Sequence, residues 1–308
     1  MTARLIAIDW GTTSFRAAVA DGSGNAIERS KSAHGILADD GAFADVLRTA
    51  VAPLRERHGP LPILMAGMIG SRQGWREAPY VHAPAGLDEL AGNLLRFEAP
   101  DVGPVAIVPG VDTRHPGGAP DVMRGEETQI HGALQRLGIS GGTFAMPGTH
   151  AKWVTVADHR IVDFRTYMTG EVFAALKGHT ILGRMMARDG GISDAGFRRG
   201  IAASADNGLG PGGLLSRIFS TRTLGLFGEL APEDAAGYLS GLLIGSEMRE
   251  GLRQGAREIV IAGSHELEEH YKVAADELGV AAILAPPDCA VPGLVAIARR
   301  AGLIGDEP

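Results

Sequence analysis

The sequence predicts an α/β protein in which mixed sheets are flanked by helices. Apolar, β-prone runs alternate along the chain with segments of helical apolar spacing. Each half of the chain opens with a glycine–threonine turn between two strands. Hydrophobic residues make up 45% of the 308 residues, which is enough for well-filled cores. This order of elements favours layered sheets and helices over a sandwich or a helix bundle.

The first half begins with a strand, a tight turn and a second strand. Leu5 to Ile8 is apolar and β-prone and leads into Asp9, while Gly11, Thr12 and Thr13 have the composition of a turn. The other elements predicted here are strands over 16–20, 25–30, 62–70 and 105–109, helices over 42–58 and 86–97, and a Pro- and Gly-rich loop or domain junction over 112–121.

The second half repeats this order of elements, although no residue-by-residue repeat is visible. The order predicts two domains, over residues 1–120 and 121–308. The elements predicted after the junction are helices over 125–137, 172–188, 213–223, 232–254, 265–278 and 293–301, and strands over 142–146, 152–156, 160–164, 258–262 and 281–284.

Charge and composition exclude several classes of partner. The net charge of -7 argues against binding to nucleic acid or to an anionic membrane surface. The single cysteine, Cys289, cannot form an internal disulfide or a cysteine-ligated cluster within one chain. No uncharged apolar run approaches the roughly 18 residues of a membrane span, and no signal sequence is recognisable. We therefore expect a cytoplasmic protein; a homodimer is left open.

The first turn has the residue types that hold a nucleotide phosphate and its metal. Asp9 offers a hard oxygen ligand that can face Mg²⁺ through water. Gly11 allows an anion to approach the backbone, and Thr12 and Thr13 can donate hydrogen bonds to phosphate oxygens. The alternative is an ordinary tight hairpin with favourable turn residues.

Several motifs together point to one family. The short ones are Asp9–Thr13, Gly148–Thr149 and Ile261–Ser264; the longer and more specific ones are Ala66–Tyr80, Asp121–Gln129, Pro147–Trp153 and Met168–Glu171. Over Leu5 to about Gly302 the chain resembles the 2-dehydro-3-deoxygalactonokinase family, which lies within the actin, Hsp70 and sugar-kinase superfamily.

The resemblance implies transfer of the ATP γ-phosphoryl group to the 6-hydroxyl of 2-dehydro-3-deoxy-D-galactonate, in galactonate and galactose catabolism. It implies two ribonuclease-H-like domains with sheets of the five-stranded type, an ATP cleft between them, and ATP and Mg²⁺ as cofactors. Asp9 would hold the metal. The nucleotide would contact Gly11, Thr12, Thr13, Gly148, Thr149, Lys152, Gly263 and Ser264.

The loop that follows the strand over 62–70 is the expected sugar-acid site. The guanidinium of Arg72 can bind a carboxylate through two parallel hydrogen bonds, although a surface or domain-bridging salt bridge is the alternative. Ser71 and Gln73 would line the same pocket. Trp75 would cover an apolar sugar face or be partly buried packing.

Glu126 and Glu127 begin the helix after the junction, where the helix dipole favours carboxylates whatever their function. A carboxylate near the attacking hydroxyl can accept its proton during phosphoryl transfer. Related carbohydrate kinases carry Gly-Asp at this helix start, and Gly125–Glu126 is similar with one added methylene. Both residues are catalytic candidates, with Glu126 preferred.

Residues around the second turn complete the expected site. Lys152 would reach a phosphoryl oxygen or project to solvent. His150 would bind or pack on the substrate side, and Thr169 and Glu171 would close the substrate pocket. Gly263 would permit close approach of adenine or ribose, and Ser264 would cap the following helix; a plain strand-to-helix turn is the alternative.

Gly237, Gly241 and Gly245 recur four residues apart in a predicted helix. This stripe predicts close approach of a second helix, either at a hinge or in a static core. The partner that we expect is the helix beginning at Glu126, with Gly132 near the crossing.

Three other functions remain in view. They are a kinase for another 2-keto-3-deoxy acid or sugar, a non-catalytic sugar or nucleotide sensor on the same fold, and an ATPase that drives a change of shape. The long motif around Arg72 argues against the last of these.

Overall fold

The computed structural model describes residues 2–38, 41–115, 117–187, 191–205, 213–263 and 265–305. Two compact units are present. The first comprises Met1–Gly142, Val154–Phe164 and Ala285–Pro308, and the second comprises Thr143–Trp153 and Arg165–Leu284. The chain therefore passes between the units several times, unlike a chain divided once at residue 120. The assignment of ribonuclease-H-like domains to 1–120 and 121–308 stays a prediction.

The first unit is built on a six-stranded sheet with the order β3-β2-β1-β4-β7-β6. The first three strands form an antiparallel meander, as the turns in the sequence predict. β4 and β7 then add in parallel, and β6 pairs antiparallel with β7. The strands are β1 (Ala3–Trp10), β2 (Phe15–Asp21), β3 (Ala26–Ser32), β4 (Ile63–Ala66), β6 (Leu95–Ala99) and β7 (Gly103–Ile107).

Two helices cover this sheet for different reasons. α1 (Phe43–His58) buries an apolar stripe at helical spacing, Phe43, Leu47, Val51 and Leu54, in one core with strand residues. α10 (Ala290–Arg300) contacts β1 and β4 and crosses α3 (Glu126–Leu137). That crossing is in backbone contact, because a Cβ on Gly132 would lie 1.8 Å from the Cys289 carbonyl oxygen.

Two predictions in this unit are wrong. The helix expected over 86–97 ends early, as α2 (Leu87–Gly92), and is followed by β6. In β6, Leu95 and Phe97 pack against the core while Arg96 and Glu98 are exposed, which is the two-residue period of a strand.

The segment expected to be a loop over 112–121 instead contributes to a small sheet. Its order is β5-β8-β9, in which β8 pairs parallel with β5 and antiparallel with β9. Strand pairing between 112–114 and 120–122 thus satisfies backbone groups at both ends of this Pro- and Gly-rich stretch. The strands are β5 (Tyr80–His82), β8 (Gly110–Arg114) and β9 (Pro120–Met123).

The second sheet has the order β12-β11-β10-β13-β14, which corresponds strand by strand to β3-β2-β1-β4-β7 in the first sheet. β13 pairs in parallel with both of its neighbours. The predicted fold class, α/β with mixed sheets and flanking helices, is therefore confirmed. The strands are β10 (Gly142–Met146), β11 (Ala151–Ala157), β12 (Arg160–Tyr167), β13 (Glu258–Ile261) and β14 (Ala281–Leu284).

The glycine stripe of α8 packs on α5, so the predicted partner, α3, is wrong. A Cβ on Gly241 would lie 2.0 Å from the Phe197 carbonyl oxygen, and one on Gly200 would lie 2.1 Å from that of Tyr238. The sequence analysis missed α5, and the helix expected over 172–188 ends at residue 179. The helices of this unit are α4 (Thr169–His179), α5 (Asp194–Ala203), α6 (Leu214–Ile218), α7 (Ser220–Leu226), α8 (Pro232–Gly251) and α9 (His265–Glu277). Within the described ranges, no helix has the length and apolarity of a membrane span.

Candidate functional site

The first glycine–threonine turn is hydrogen-bonded to the backbone of the segment that follows β3. The Gly11 amide donates to the Ser14 carbonyl oxygen at 2.9 Å and closes the turn. The Ile36 and Leu37 amides donate to the carbonyl oxygens of Gly11 and Thr12 at 3.1 and 3.2 Å. Thr12 and the neighbouring Thr13 remain exposed. The turn thus presents two hydroxyls on a fixed backbone.

Two glycines with positive φ lie between Asp9 and Glu126 and allow close packing of the backbone there. Gly67 follows β4 with a φ of 93°, and Gly125 precedes α3 with a φ of 107°. A Cβ on Gly67 would lie 3.3 Å from Asp9 Oδ1, and one on Gly125 would lie 3.2 Å from the Gly67 Cα. Only glycine allows the start of α3 to approach Gly67, and Gly67 to approach the end of β1, this closely.

The electrostatics at this point are those of two nearby carboxylates. Burial raises the pKa of Asp9, the Arg16 guanidinium lowers it, and the Glu126 carboxylate raises it again. The distance from Arg16 Nη1 to Asp9 Oδ2 is 3.8 Å. These oxygens are the ligand type that Mg²⁺ prefers, and a divalent cation would relieve the repulsion between the two carboxylates.

Glu126 and Glu127 occupy different environments although they are adjacent. Glu126 is partly exposed, and its Oε2 accepts a hydrogen bond from the Arg124 amide at 3.0 Å. Glu127 is fully buried, and its Oε2 accepts from the Gly125 amide at 2.7 Å. Burial, and then the charge of Glu126, raise the pKa of Glu127 to about 8.

The expected sugar-acid loop offers an exposed cation and a buried hydroxyl. The Arg72 side chain is 87% exposed, and its Nε lies 3.6 Å from Oε1 of Glu77. Gln73 is exposed as well, whereas Ser71 is buried and its Oγ lacks a hydrogen-bond partner among the described residues.

Trp75, in the same loop, packs against an aromatic cluster. Its ring centroid lies 6.5 Å from that of Phe43 and 5.0 Å from that of Phe97. These contacts fit the packing alternative, and a role for Trp75 in sugar binding stays a prediction.

In the second unit, the start of α4 lies directly on the second glycine–threonine turn. A Cβ on Gly170 would lie 2.5 Å from the Gly148 carbonyl oxygen and 2.9 Å from the Thr149 Cα. The Glu171 amide donates to the Thr149 carbonyl oxygen at 3.0 Å. The Glu171 carboxylate lies 2.5 Å from Nε2 of His150. The structure thus brings these predicted residues together.

Lys152 does not project to solvent from β11. It is buried, and its Nζ donates to the His150 carbonyl oxygen at 3.0 Å. Gly263 lies beside the same turn, since a Cβ there would be 3.2 Å from Pro147 Cδ. The Gly263 amide donates to Glu268 Oε1 at 2.9 Å. Ser264 falls outside the described residues.

Thr169 is tied to a buried carboxylate that the sequence analysis missed. The Thr169 side chain hydrogen-bonds to Glu247 on α8, which also accepts from Trp153 Nε1 and the Tyr271 hydroxyl, each at 2.8 Å. Burial raises the pKa of Glu247, and these hydrogen bonds lower it. An acid in an otherwise small and apolar helix segment, 235–248, is the sequence signal that could have revealed it.

A second missed residue, Arg124, lies in the Asp121–Gln129 motif and is buried beneath the sugar-acid loop.

In the part of the chain that the structure describes, no group of three or more His, Cys, Asp or Glu side chains has the arrangement of a metal site. A metal at Asp9 would therefore rely on few protein ligands and on ligands from the substrate or water.

The chain is similar to known proteins over nearly its whole length. The model of the 2-keto-3-deoxy-galactonokinase family matches residues 9–297. DgoK1 of Rhizobium meliloti (strain 1021), a probable 2-dehydro-3-deoxygalactonokinase, is 38% identical over 95% of this chain and 96% of its own. The 2-dehydro-3-deoxygalactonokinase of Escherichia coli (strain K12) is 36% identical, with 91% of each chain covered.

Two solved structures are also similar. A Sinorhizobium meliloti protein assigned as a 2-dehydro-3-deoxygalactonokinase matches with a TM-score of 0.86 and 36% identity, covering 96% of this chain and 98% of its own. The activator of a 2-hydroxyisocaproyl-CoA dehydratase from Clostridium difficile matches with a TM-score of 0.50 at 11% identity, covering 96% and 92%, and shares the fold alone. The chain belongs to the 2-keto-3-deoxy-galactonokinase family.

Proposed function

We propose that the protein transfers the γ-phosphoryl group of ATP to the 6-hydroxyl of 2-dehydro-3-deoxy-D-galactonate, in galactonate and galactose catabolism. The observation that carries the proposal is the family match over residues 9–297, together with two relatives of that name that align over more than nine-tenths of the chain. The proximity of two carboxylates supports it, because the charge of Glu126 raises the pKa of Asp9, and Gly125 at the start of α3 packs on Gly67 beside Asp9. Action in the cytoplasm and a homodimeric state stay predictions.

Glu126 is the proposed general base, and its partial exposure supports this role. A base must be ionised and must reach the hydroxyl from which it takes the proton. Glu127 is enclosed, and with its pKa raised to about 8 it is mostly protonated at neutral pH. We therefore assign Glu127 to holding the helix start through the Gly125 amide.

Asp9 is the proposed Mg²⁺ residue. The ion would supply positive charge to the β- and γ-phosphate oxygens as charge develops in phosphoryl transfer. Thr12 and Thr13 would donate to phosphate oxygens from the first turn. The second set of phosphate contacts would come from Gly148, Thr149 and the Lys152 ammonium, with Gly11, Gly263 and Ser264 beside the nucleotide.

The sugar acid would be bound by Ser71, Arg72 and Gln73, with Trp75 at the edge of the loop. Its carboxylate distinguishes it from a neutral hexose, and a guanidinium binds carboxylates with two parallel hydrogen bonds. The exposure of Arg72 leaves its donors accessible to such a ligand. His150, Thr169 and Glu171 would complete the acceptor side.

The decisive experiment is a coupled assay of ATP consumption across epimeric 2-keto-3-deoxy acids, neutral hexoses and no acceptor. The proposal expects turnover with 2-dehydro-3-deoxygalactonate well above that with hexoses or with water. Preference for another keto-deoxy acid or a hexose would assign a related kinase, and binding without turnover would assign a sensor. Either result would reject the proposed substrate.

Two variants test the residue roles in the same assay. Glu126→Gln should lower kcat by about a hundredfold or more, the usual contribution of a positioned base, whereas Glu127→Gln at pH 7 should retain most activity. Near wild-type turnover by Glu126→Gln would reject the base assignment. Arg72→Lys should raise KM for the sugar acid, and an unchanged KM would remove the carboxylate contact.

A further inference from the structure

We propose that Arg124 is a positioning residue that joins the sugar-acid loop to the segment carrying Glu126, and so sets the affinity for the acceptor. This inference rests on the proposed function for its substrate, but not for its geometry. Arg124 lies directly before the Gly125–Glu126 helix start, and no motif in the chain assigns it a contact.

The Arg124 side chain reaches the far end of the sugar-acid loop. Its Nη2 donates to the Ala78 carbonyl oxygen at 2.9 Å, a bond buried from solvent. Its guanidinium carbon lies 4.3 Å from the centre of the Tyr80 ring, within the range of a cation–π contact. Gly110 also makes room for that ring, since a Cβ there would lie 2.5 Å from Tyr80 Cε1. One cation therefore fixes two positions of the loop.

The near end of the same loop lies against the same guanidinium. A Cβ on Gly70 would be 3.0 Å from Arg124 Nη1 and 2.8 Å from Ile107 Cγ2, so glycine permits this contact. Ser71, a proposed acceptor ligand, follows immediately. The backbone amide of Arg124 meanwhile donates to Glu126 Oε2. Loop and proposed base are thus connected through one residue.

The burial of Arg124 indicates a role beyond packing. It is 8% exposed, and its Nε and Nη1 lack hydrogen-bond partners among the described residues. A desolvated cation with unmade hydrogen bonds is unfavourable compared with an apolar side chain of similar length, such as methionine. What methionine could not supply is the Ala78 hydrogen bond together with the charge on the Tyr80 ring. The neighbouring ionisable groups are Glu126, Glu127 and Tyr80.

The test compares Arg124→Met and Arg124→Lys with a matched control, Arg76→Met. Arg76 lies in the same loop and also sits over an aromatic ring, that of Phe97 at 4.9 Å, but it is exposed. We expect Arg124→Met to raise KM for the sugar acid about tenfold or more while KM for ATP changes less than twofold. Arg124→Lys should recover part of this loss, and Arg76→Met should behave as wild type.

A measurement without turnover keeps the inference separate from the proposed function. Hydrogen exchange of the backbone amides over 68–80 should accelerate in Arg124→Met, with α1 amides unchanged as the internal reference. Tyr80→Leu should accelerate the same amides to a smaller extent, and the double variant should add little to Arg124→Met, because Arg124→Met already removes the contact with the Tyr80 ring. If the wild type phosphorylates no keto-deoxy acid, the proposed function fails. The exchange rates over 68–80 still test whether Arg124 holds the loop, because that measurement does not depend on turnover.

Two outcomes would overturn the inference. One is unchanged exchange over 68–80 together with an unchanged KM for the sugar acid in Arg124→Met. The other is an equal rise in both KM values with faster exchange throughout the unit, which would make Arg124 a general stability residue. Should Arg124→Met fail to fold, Arg124→Lys and Tyr80→Leu decide by the same two readouts.

Discussion

Glu127 makes a specific and unusual contribution to stability as the pH changes. Its carboxyl group is fully buried at the start of α3, and its pKa rises from 4.5 to about 8, first through burial and then through the charge of Glu126. The folded protein therefore binds this proton more tightly than the unfolded chain. The associated stability is fully present below pH 4.5 and is lost as the pH rises towards 8.

The size of the effect follows from the two pKa values. Between pH 4.5 and 8 the free energy of unfolding should fall by at most about 1.4 kcal/mol per pH unit, or roughly 5 kcal/mol in all. Glu127→Gln removes the ionisable group and keeps an oxygen for the Gly125 amide. The variant should resemble the wild type or be slightly less stable at pH 5, and it should be the more stable of the two at pH 9.

The assay is urea unfolding followed by tryptophan fluorescence at pH 5, 6, 7, 8 and 9. Asp9 and Glu247 also have raised pKa values and add slope of the same sign, so the informative quantity is the difference between wild type and variant. Glu98→Gln, at an exposed position of β6, is the matched control and should follow the wild-type curve. Parallel pH curves for wild type and Glu127→Gln would refute the reasoning.

Two glycine substitutions test the backbone contacts directly. Gly170→Ala places a Cβ 2.5 Å from the Gly148 carbonyl oxygen and should raise KM for ATP by about tenfold or more. Gly178→Ala is the control, because it lies in the same helix and its Cβ would meet nothing within 4 Å. It should leave KM for ATP unchanged and raise the free energy of unfolding by about 0.5–1 kcal/mol. Gly241→Ala, whose Cβ would meet the Phe197 carbonyl oxygen at 2.0 Å, should destabilise by roughly 1–3 kcal/mol or more in urea unfolding. An unchanged KM for ATP in Gly170→Ala, or an unchanged free energy of unfolding in Gly241→Ala, would show that the backbone can move to accept the added methyl group, and would contradict the prediction for that variant.

Local patterns predicted the elements whose turn residues and apolar period agree. The opening meander has strands of apolar and β-prone residues joined by glycine-containing turns, and α1 has an uninterrupted helical stripe. α5 was missed because Gly196 and Gly200 lower its helix propensity. Those same glycines allow α8 to approach, so tertiary packing outweighs the local preference.

The candidate site was predictable in its residue types but not in its environments. The sequence placed two acids at the start of α3, and successive helix positions point about 100° apart. Which of the two faces the interior depends on packing that only the fold supplies, and the structure buries Glu127. The role of Lys152 was left open for the same reason, since strand alternation alone cannot say which face of β11 is covered.

Glycine lies at several of the close backbone contacts around the candidate site. Gly67, Gly125 and Gly170 each stand where a Cβ would press on backbone or on a proposed ligand group. Contacts of this kind fix backbone amides to within the short range that phosphate binding requires, because no flexible side chain intervenes. A sequence shows the glycine but not the strand or helix that closes on it. The turns could therefore be proposed as anion sites from residue types, whereas the segments that pack on them, the chain after β3 and the start of α4, emerge only from the fold.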